Sequence, residues 1–179
     1  MTRRTAQVRS ALIVATAIAA TSGLARRRYL RWGATDEEAA MDLPGDQFLP
    51  VANVTATRAI TTLRTADDVW PWLAQLGQGR GGFYSYDFLE NLVGCDIQSA
   101  DRIVEEWQSI EVGSEVNLYP GFGLMVAHVE PGRSLVLRGG ATMGGKPAPY
   151  DFTWAFVLTE RPDGTTRLIV RERYEYTRR

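Results

Sequence analysis

From Glu115 to Tyr176 the chain is cut at short intervals by turn dipeptides: Pro120-Gly121, Pro131-Gly132, Gly139-Gly140 and Asp163-Gly164. Proline presets one corner of a turn and glycine supplies a left-handed one, so each pair favours a reversal of the chain. The runs between them are Glu115–Tyr119, Leu124–Glu130, Ser134–Arg138, Asp151–Thr159 and Thr166–Tyr176. They alternate apolar with polar residues, and successive strands joined by turns pair antiparallel. Upstream, Val54–Thr62 (VTATRAITT) reads as a further strand and Trp107–Val112 as a short edge piece.

Two short helices are expected between the first strand and the meander. Val69, Trp72, Leu73 and Leu76 recur at helical spacing, with Thr65 and Asp68 both available as caps. Pro71 favours Asp68, because proline sits best within the first turn. The second helix is expected from near Ser85, with Phe88, Leu89, Leu92 and Val93 as its apolar stripe and Gly94 closing it. Asp87, Glu90 and Asn91 then fall on the wet side. The elbow between the helices, Gly77-Gln78-Gly79-Arg80-Gly81-Gly82, is glycine-rich. A phosphate cradle needs a strand before the glycines and a helix N-terminus after them. Here a helix precedes them, and the elbow reads as a tight connection.

Charge divides the chain. Residues 1–31 hold seven arginines and no acid, leaving 13 basic against 21 acidic residues for the remainder. An acidic body argues against nucleic acid, which demands clustered positive charge. Between the arginines, Ala11–Ala25 is uncharged. As a helix it would span roughly 22 Å, against a hydrocarbon core of roughly 30 Å. Flanking arginines can snorkel, so residues 1–28 read as a single-pass membrane anchor, with a cleaved signal or a peripheral helix as alternatives. The arginine balance tilts the body towards the cytoplasm. Residues 29–52, broken by Pro44, Gly45 and Pro50, read as a polar tether with a short helical turn at Thr35-Asp36-Glu37-Glu38. Residues 53–179 form the folded domain.

The order of elements gives an α+β fold, helices packed on one face of a curved antiparallel sheet. Alternation places Phe152, Trp154, Phe156 and Leu158 on one side of their strand, Leu124, Val126 and His128 on one side of theirs, and pairs Leu135 with Leu137 and Leu168 with Val170. Large aromatics are in surplus for a small sheet, pointing to an apolar pocket. Its candidate lining is Phe83, Tyr84, Tyr86, Phe88, Trp107, Tyr119, Leu124, Val126, His128, Trp154 and Phe156.

The segments RWGATDEEAAMDLPGD (Arg31–Asp46), WPWLAQLGQGRGGFYSYDFLENLVGCDI and SADRIVEEW resemble the actinobacterial, membrane-anchored branch of the SRPBCC superfamily, over about residues 29–176. That is the START/Bet v 1-like group with polyketide cyclase-like and coenzyme Q-binding-like members. The resemblance implies a helix-grip fold whose long C-terminal helix closes the sheet. This chain ends in Tyr174-Glu175-Tyr176-Thr177-Arg178-Arg179 straight after its last strand. The closing helix is therefore missing from the pattern, the domain reads as C-terminally incomplete, and its open face is expected to self-associate or dock a protein partner.

Three functions follow. The first is a membrane-tethered carrier of a lipid, quinone or polyketide-like molecule. The second is a cyclase or dehydratase using His128, the one histidine, as general base; the bland role for that imidazole is a hydrogen bond at the rim or in the core. The third is an interaction module working through its open sheet. One histidine and one cysteine exclude the usual His/Cys metal clusters, and no cofactor is expected. Cys95 reads as a small buried residue. Arg80, Arg102, Arg171 and Arg173 are expected to pair with Asp87, Asp96, Asp101 and Glu172.

Overall fold

The computed structural model describes residues 25–139 and 150–176. Strands β1 (Val54–Thr62), β2 (Glu115–Tyr119), β3 (Phe122–Glu130), β4 (Ser134–Arg138), β5 (Tyr150–Glu160) and β6 (Thr166–Tyr176) form one antiparallel sheet. Its order is β1-β6-β5-β4-β3-β2. This is the expected α+β, helix-grip-like arrangement: an open, curved sheet with a few short helices. The Trp107–Val112 edge piece does not form; Glu105–Trp107 is a 3-10 turn and the chain then runs irregularly to β2.

Besides the helical residues 25–30, three short helices accompany the sheet among the described residues: α1 (Asp36–Ala40), α2 (Ala66–Ala74) and α3 (Asp87–Leu92). Thr65, not Asp68, caps α2, because a reciprocal box forms between Thr65 and Asp68. Pro71 is consequently carried inside the helix. Leu73, Ala74 and the partly buried Val69 and Trp70 of α2 pack with Leu135, Leu137, Phe156 and Leu158, defining the inner face.

The outer face is covered by the stretch expected to be a tether. Residues 34–49 carry α1, a 3-10 turn and buried Leu43 and Leu49, and lie against Ala59, Val157 and Ile169. Gly45 lets the strap close in: a Cβ there would stand 2.9 Å from Val136, and its φ of +105° suits no other residue well. Arg171, 3% exposed, clamps the strap from β6. Its guanidinium donates to Thr57 Oγ1, to the carbonyls of Glu38, Ala39 and Met41, and to Asp46. Every one of its N–H groups is used. Arg173 also reaches Asp46, and Arg167 grips Glu38 through two bonds of 2.7 Å. The expected pairing of Arg171 and Arg173 with nearby acids thus gives way to long-range pairs with the strap. Sequence composition read these residues as polar without showing that the polarity is spent on the sheet.

Among the described residues no helix is long and apolar enough to cross a membrane. The Ala11–Ala25 run lies outside them but for its last residue, as do Gly140 and Thr177–Arg179.

Candidate functional site

α2 covers one end of the inner face and leaves an apolar hollow at the other. One lobe, about 250 Å³, is walled by Leu118, Leu124, Gly139, Tyr150, Phe152, Trp154, Glu172 and Tyr174. A second, about 320 Å³, shares Leu118 and Trp154 and adds Phe83, Ser85, Glu90 and Cys95. Trp154 is the common wall. It stacks on Phe83 at 5.9 Å and leans on Phe156 at 4.9 Å. These volumes are of the order small-ligand sites take.

Some polar groups of the hollow are partnered, Ser85 Oγ donating to Glu90 Oε1, and two are not. Trp154 Nε1 and Glu90 Oε2 are both buried and have no hydrogen-bond partner among the described residues. An indole N–H can only donate and a carboxylate only accept, and each such orphan costs about 1–3 kcal/mol, more when charged. Arg58 neutralises Glu172 across β1 and β6 at 3.1 Å. Burial, with help from the Glu172 charge, pushes the Tyr174 hydroxyl up to about 12. It therefore remains a protonated donor at neutral pH.

A larger hollow of about 590 Å³ lies by the β3–β4 turn. Its wall is largely turn backbone and polar side chains: Asp67, Arg133 paired with Glu130, and Glu160 accepting from the Ala66 amide. It offers an apolar molecule little, and the Trp154 hollow is the better candidate.

Of the expected lining, Phe83, Leu124 and Trp154 meet in this hollow; Val126 and Phe156 are core beneath it. The others do not join them. Tyr84 meets Trp72 edge-on at 5.3 Å and accepts from Gln75 Nε2 at 2.6 Å. Tyr119 stacks on Phe122 in the β2–β3 hairpin, and Trp107 borders a polar hollow with Gln78, Arg80 and Asp96. Tyr86 and Phe88 face outward.

His128 is a correction with a clear cause. The register between β3 and β4 shifts at a bulge between Val126 and His128. One inserted residue reverses every later side chain. His128 therefore shares the outer face with Val136 and meets Ser134 Oγ at 2.9 Å, while Val129 takes the inner face. It has no access to the hollow, which removes it as the base of a cyclase.

α3 is a second reversal. Asp87 accepts from the Ser99 amide and hydroxyl, and Asn91 exchanges two bonds with the Ile97 backbone. The Ser99 contacts hold the Asp87 carboxyl below its usual range. The returning loop needs these partners for its amides, so the helix turns its polar side inward. Phe88, Leu92 and Val93 are left 76%, 74% and 77% exposed.

The glycine elbow is a tight connection, as expected. Gly77 and Gly82 exchange backbone bonds, Gly81 N–H donates to Gln75 and Gln78 N–H to Asn117, so few amides remain to cradle an anion. A Cβ at Gly82 would meet Ser99 at 2.8 Å. Arg80 donates to the carbonyls of Ala74 and Trp107 rather than to an acid. Among the described residues no three His, Cys, Asp or Glu groups gather as for a metal.

The sequence signal for the missed wall was present. Extending the Leu168/Val170 alternation by two steps reaches Glu172 and Tyr174, and extending that of β5 backwards reaches Tyr150. Ser85, Glu90 and Cys95 carried no such signal, since they follow from the reversal of α3.

No protein-family model and no curated protein matches the chain. Among solved structures, CalU16 from Micromonospora echinospora is similar at 16% identity and a TM-score of 0.39, over 66% of this chain and 59% of that one. The chain thus spans less than two thirds of CalU16. DR_A0006 from Deinococcus radiodurans gives 16% and 0.38 over 69% and 84% of the two chains. The hypothetical protein jhp0584 from Helicobacter pylori gives 9% and 0.42 over 77% and 79%. At such scores the likenesses carry no argument about activity, which rests on the hollow itself.

Proposed function

We propose that this chain is a membrane-tethered binding domain for a hydrophobic small molecule with one polar end, a lipid, quinone or polyketide-like compound. The observation that carries this reading is the Trp154 hollow, apolar in most of its walls yet holding buried Trp154 Nε1 and Glu90 Oε2 that have no partner among the described residues. A molecule with an apolar body fills the walls. Its polar end accepts from the indole, donates to the carboxylate, or does both, and relieves the cost of leaving them bare. The sequence resemblance to SRPBCC proteins and the Ala11–Ala25 run support the same reading. No step of chemistry is assigned, because the one histidine lies on the other face.

The test is a titration of the full chain in detergent with N-phenyl-1-naphthylamine, an uncharged fluorescent apolar probe. Saturable binding at one site is expected. Leu118→Trp, which fills the shared wall, should weaken it by about tenfold or more, since roughly 1.4 kcal/mol of lost contact suffices. Equal binding by this variant would place the probe elsewhere and refute the reading.

A further inference from the structure

We infer that a lipid bilayer covers the mouth of the Trp154 hollow, with residues 25–32 and the outward side of α3 as the two lips that enter the interface. This rests on the reading of Ala11–Ala25 as a membrane segment.

The first lip follows from the strap. With residues 34–49 packed on the sheet, almost no slack remains between residue 25 and the body. Residues 25–30 are helical, Arg58 lies 5.1 Å over the Tyr29 ring, and the Ala59 amide donates to Trp32. Arg167 holds the Gly33 carbonyl at 2.6 Å. A span ending at Ala25 would therefore seat the domain directly on the membrane. The residues at that boundary suit it: Arg26, Arg27 and Arg28 are exposed, with Tyr29 and Trp32 70% and 59% exposed. Cations meet phosphate headgroups there, and tyrosine and tryptophan favour that depth.

The second lip is α3. Tyr86, Phe88, Leu89, Leu92 and Val93 are exposed together within eight residues, and no basic residue lies among them. The two lips flank one opening. Glu90 of α3 walls the hollow beside Trp154; Glu172 walls it on the far side and pairs with Arg58, which carries Tyr29. Contiguous exposed apolar surface of this kind marks an interface. A bilayer is the occupant favoured by the basic, aromatic entry of the chain at the other lip, and it is also the place where an apolar ligand is stored.

The experiment uses the full chain in a Cys95→Ser background, with Leu92→Cys and, separately, Phe88→Cys carrying an environment-sensitive fluorophore. Met125→Cys, exposed on the outer face, is the control. Each is reconstituted with vesicles of phosphatidylcholine and phosphatidylglycerol, with and without nitroxide on the acyl chains. The expected result is flotation with the vesicles, quenching at 92 and 88 of about twofold or more, and none at 125. Flotation with 88 and 92 unquenched overturns the docking while leaving the anchor intact. Failure to float overturns the anchor reading and the docking with it. Labels shielded equally without vesicles overturn it too, in favour of a second copy when the mass doubles, or of residues 1–24 when their deletion restores exposure.

Discussion

The two faces of the sheet are finished in opposite ways. On the outer face, Arg171 has a partner for each donor, Asp46 serves two arginines, and Leu43 and Leu49 are sealed beneath. On the inner face, the wall at Trp154 keeps an indole N–H and a carboxylate oxygen without partners among the described residues, and the nearby helix turns its apolar side to the exterior. A protein that satisfies its polar groups so fully on one side does not lack the means to do so on the other. The contrast teaches that the outer face is sealed along the strap, while the inner face, which holds the main core under α2, is left unfinished only at its Trp154 end.

The largest break in this contrast should come from Arg171→Ala. Removing one side of a buried, bonded pair costs about 3–5 kcal/mol, so chemical denaturation should shift by that amount or the strap should detach. Arg171→Lys should recover only part, because an ammonium cannot span five acceptors. A shift under about 1 kcal/mol would show that the strap is ornamental.

Gln75→Ala comes next. Gln75 is fully buried; its amide donates to Tyr84 Oη, the Arg102 carbonyl and accepts from Val104 N–H and Gln108 Nε2. It ties the end of α2 to Tyr84 and to residues 102–108. Its loss should cost about 2–3 kcal/mol and expose residues 102–108 to faster amide exchange.

Trp154→Phe sharpens the comparison from the other side. The change removes an N–H that has no partner among the described residues, so stability should move by less than about 1.5 kcal/mol. Affinity for a ligand with a polar end should fall about fivefold, about 1 kcal/mol, and affinity for a plain hydrocarbon should hold. Equal losses for both ligands would mean that the indole serves as a surface alone.

Acid should loosen the strap's hold on the outer face. Arg167 holds the Glu38 carboxyl below its ordinary value of 4.5. The folded chain therefore resists protonation there more than the unfolded chain does. That contribution is whole above about pH 4.5 and is lost as pH falls through the lowered value. Denaturation midpoints followed into acid should drop in that window, and Glu38→Gln should flatten the drop. The smallest effect belongs to His128→Ala, which forfeits one hydrogen bond to Ser134, about 1 kcal/mol, and should leave probe binding unchanged.

Strands were legible in this sequence because alternation and turn dipeptides agree; β1, β2, β4 and β6 begin and end where those signals place them. Three features were hidden, each for a physical reason. The bulge at Val126–His128 has no glycine or proline to announce it, yet one residue changes the face of the histidine. α3 has an ordinary amphipathic pattern, and only the hydrogen-bond demand of residues 97–99 decides which side turns in. The strap looks like a tether because its acids are polar in composition. Their arginine partners lie more than a hundred residues later, at alternate positions 167, 171 and 173 of β6. Trp154 and Phe83 were visible as aromatics, whereas Glu90 became part of the site only once α3 was reversed.

Native mass spectrometry of the full chain, extracted from membranes in mild detergent, reads the occupant of the Trp154 hollow. A one-to-one complex with an apolar small molecule is expected, retained by Met125→Ser on the outer face and lost in Leu118→Trp on the inner one. A bare protein mass after gentle extraction, or an adduct that survives Leu118→Trp unchanged, would contradict it.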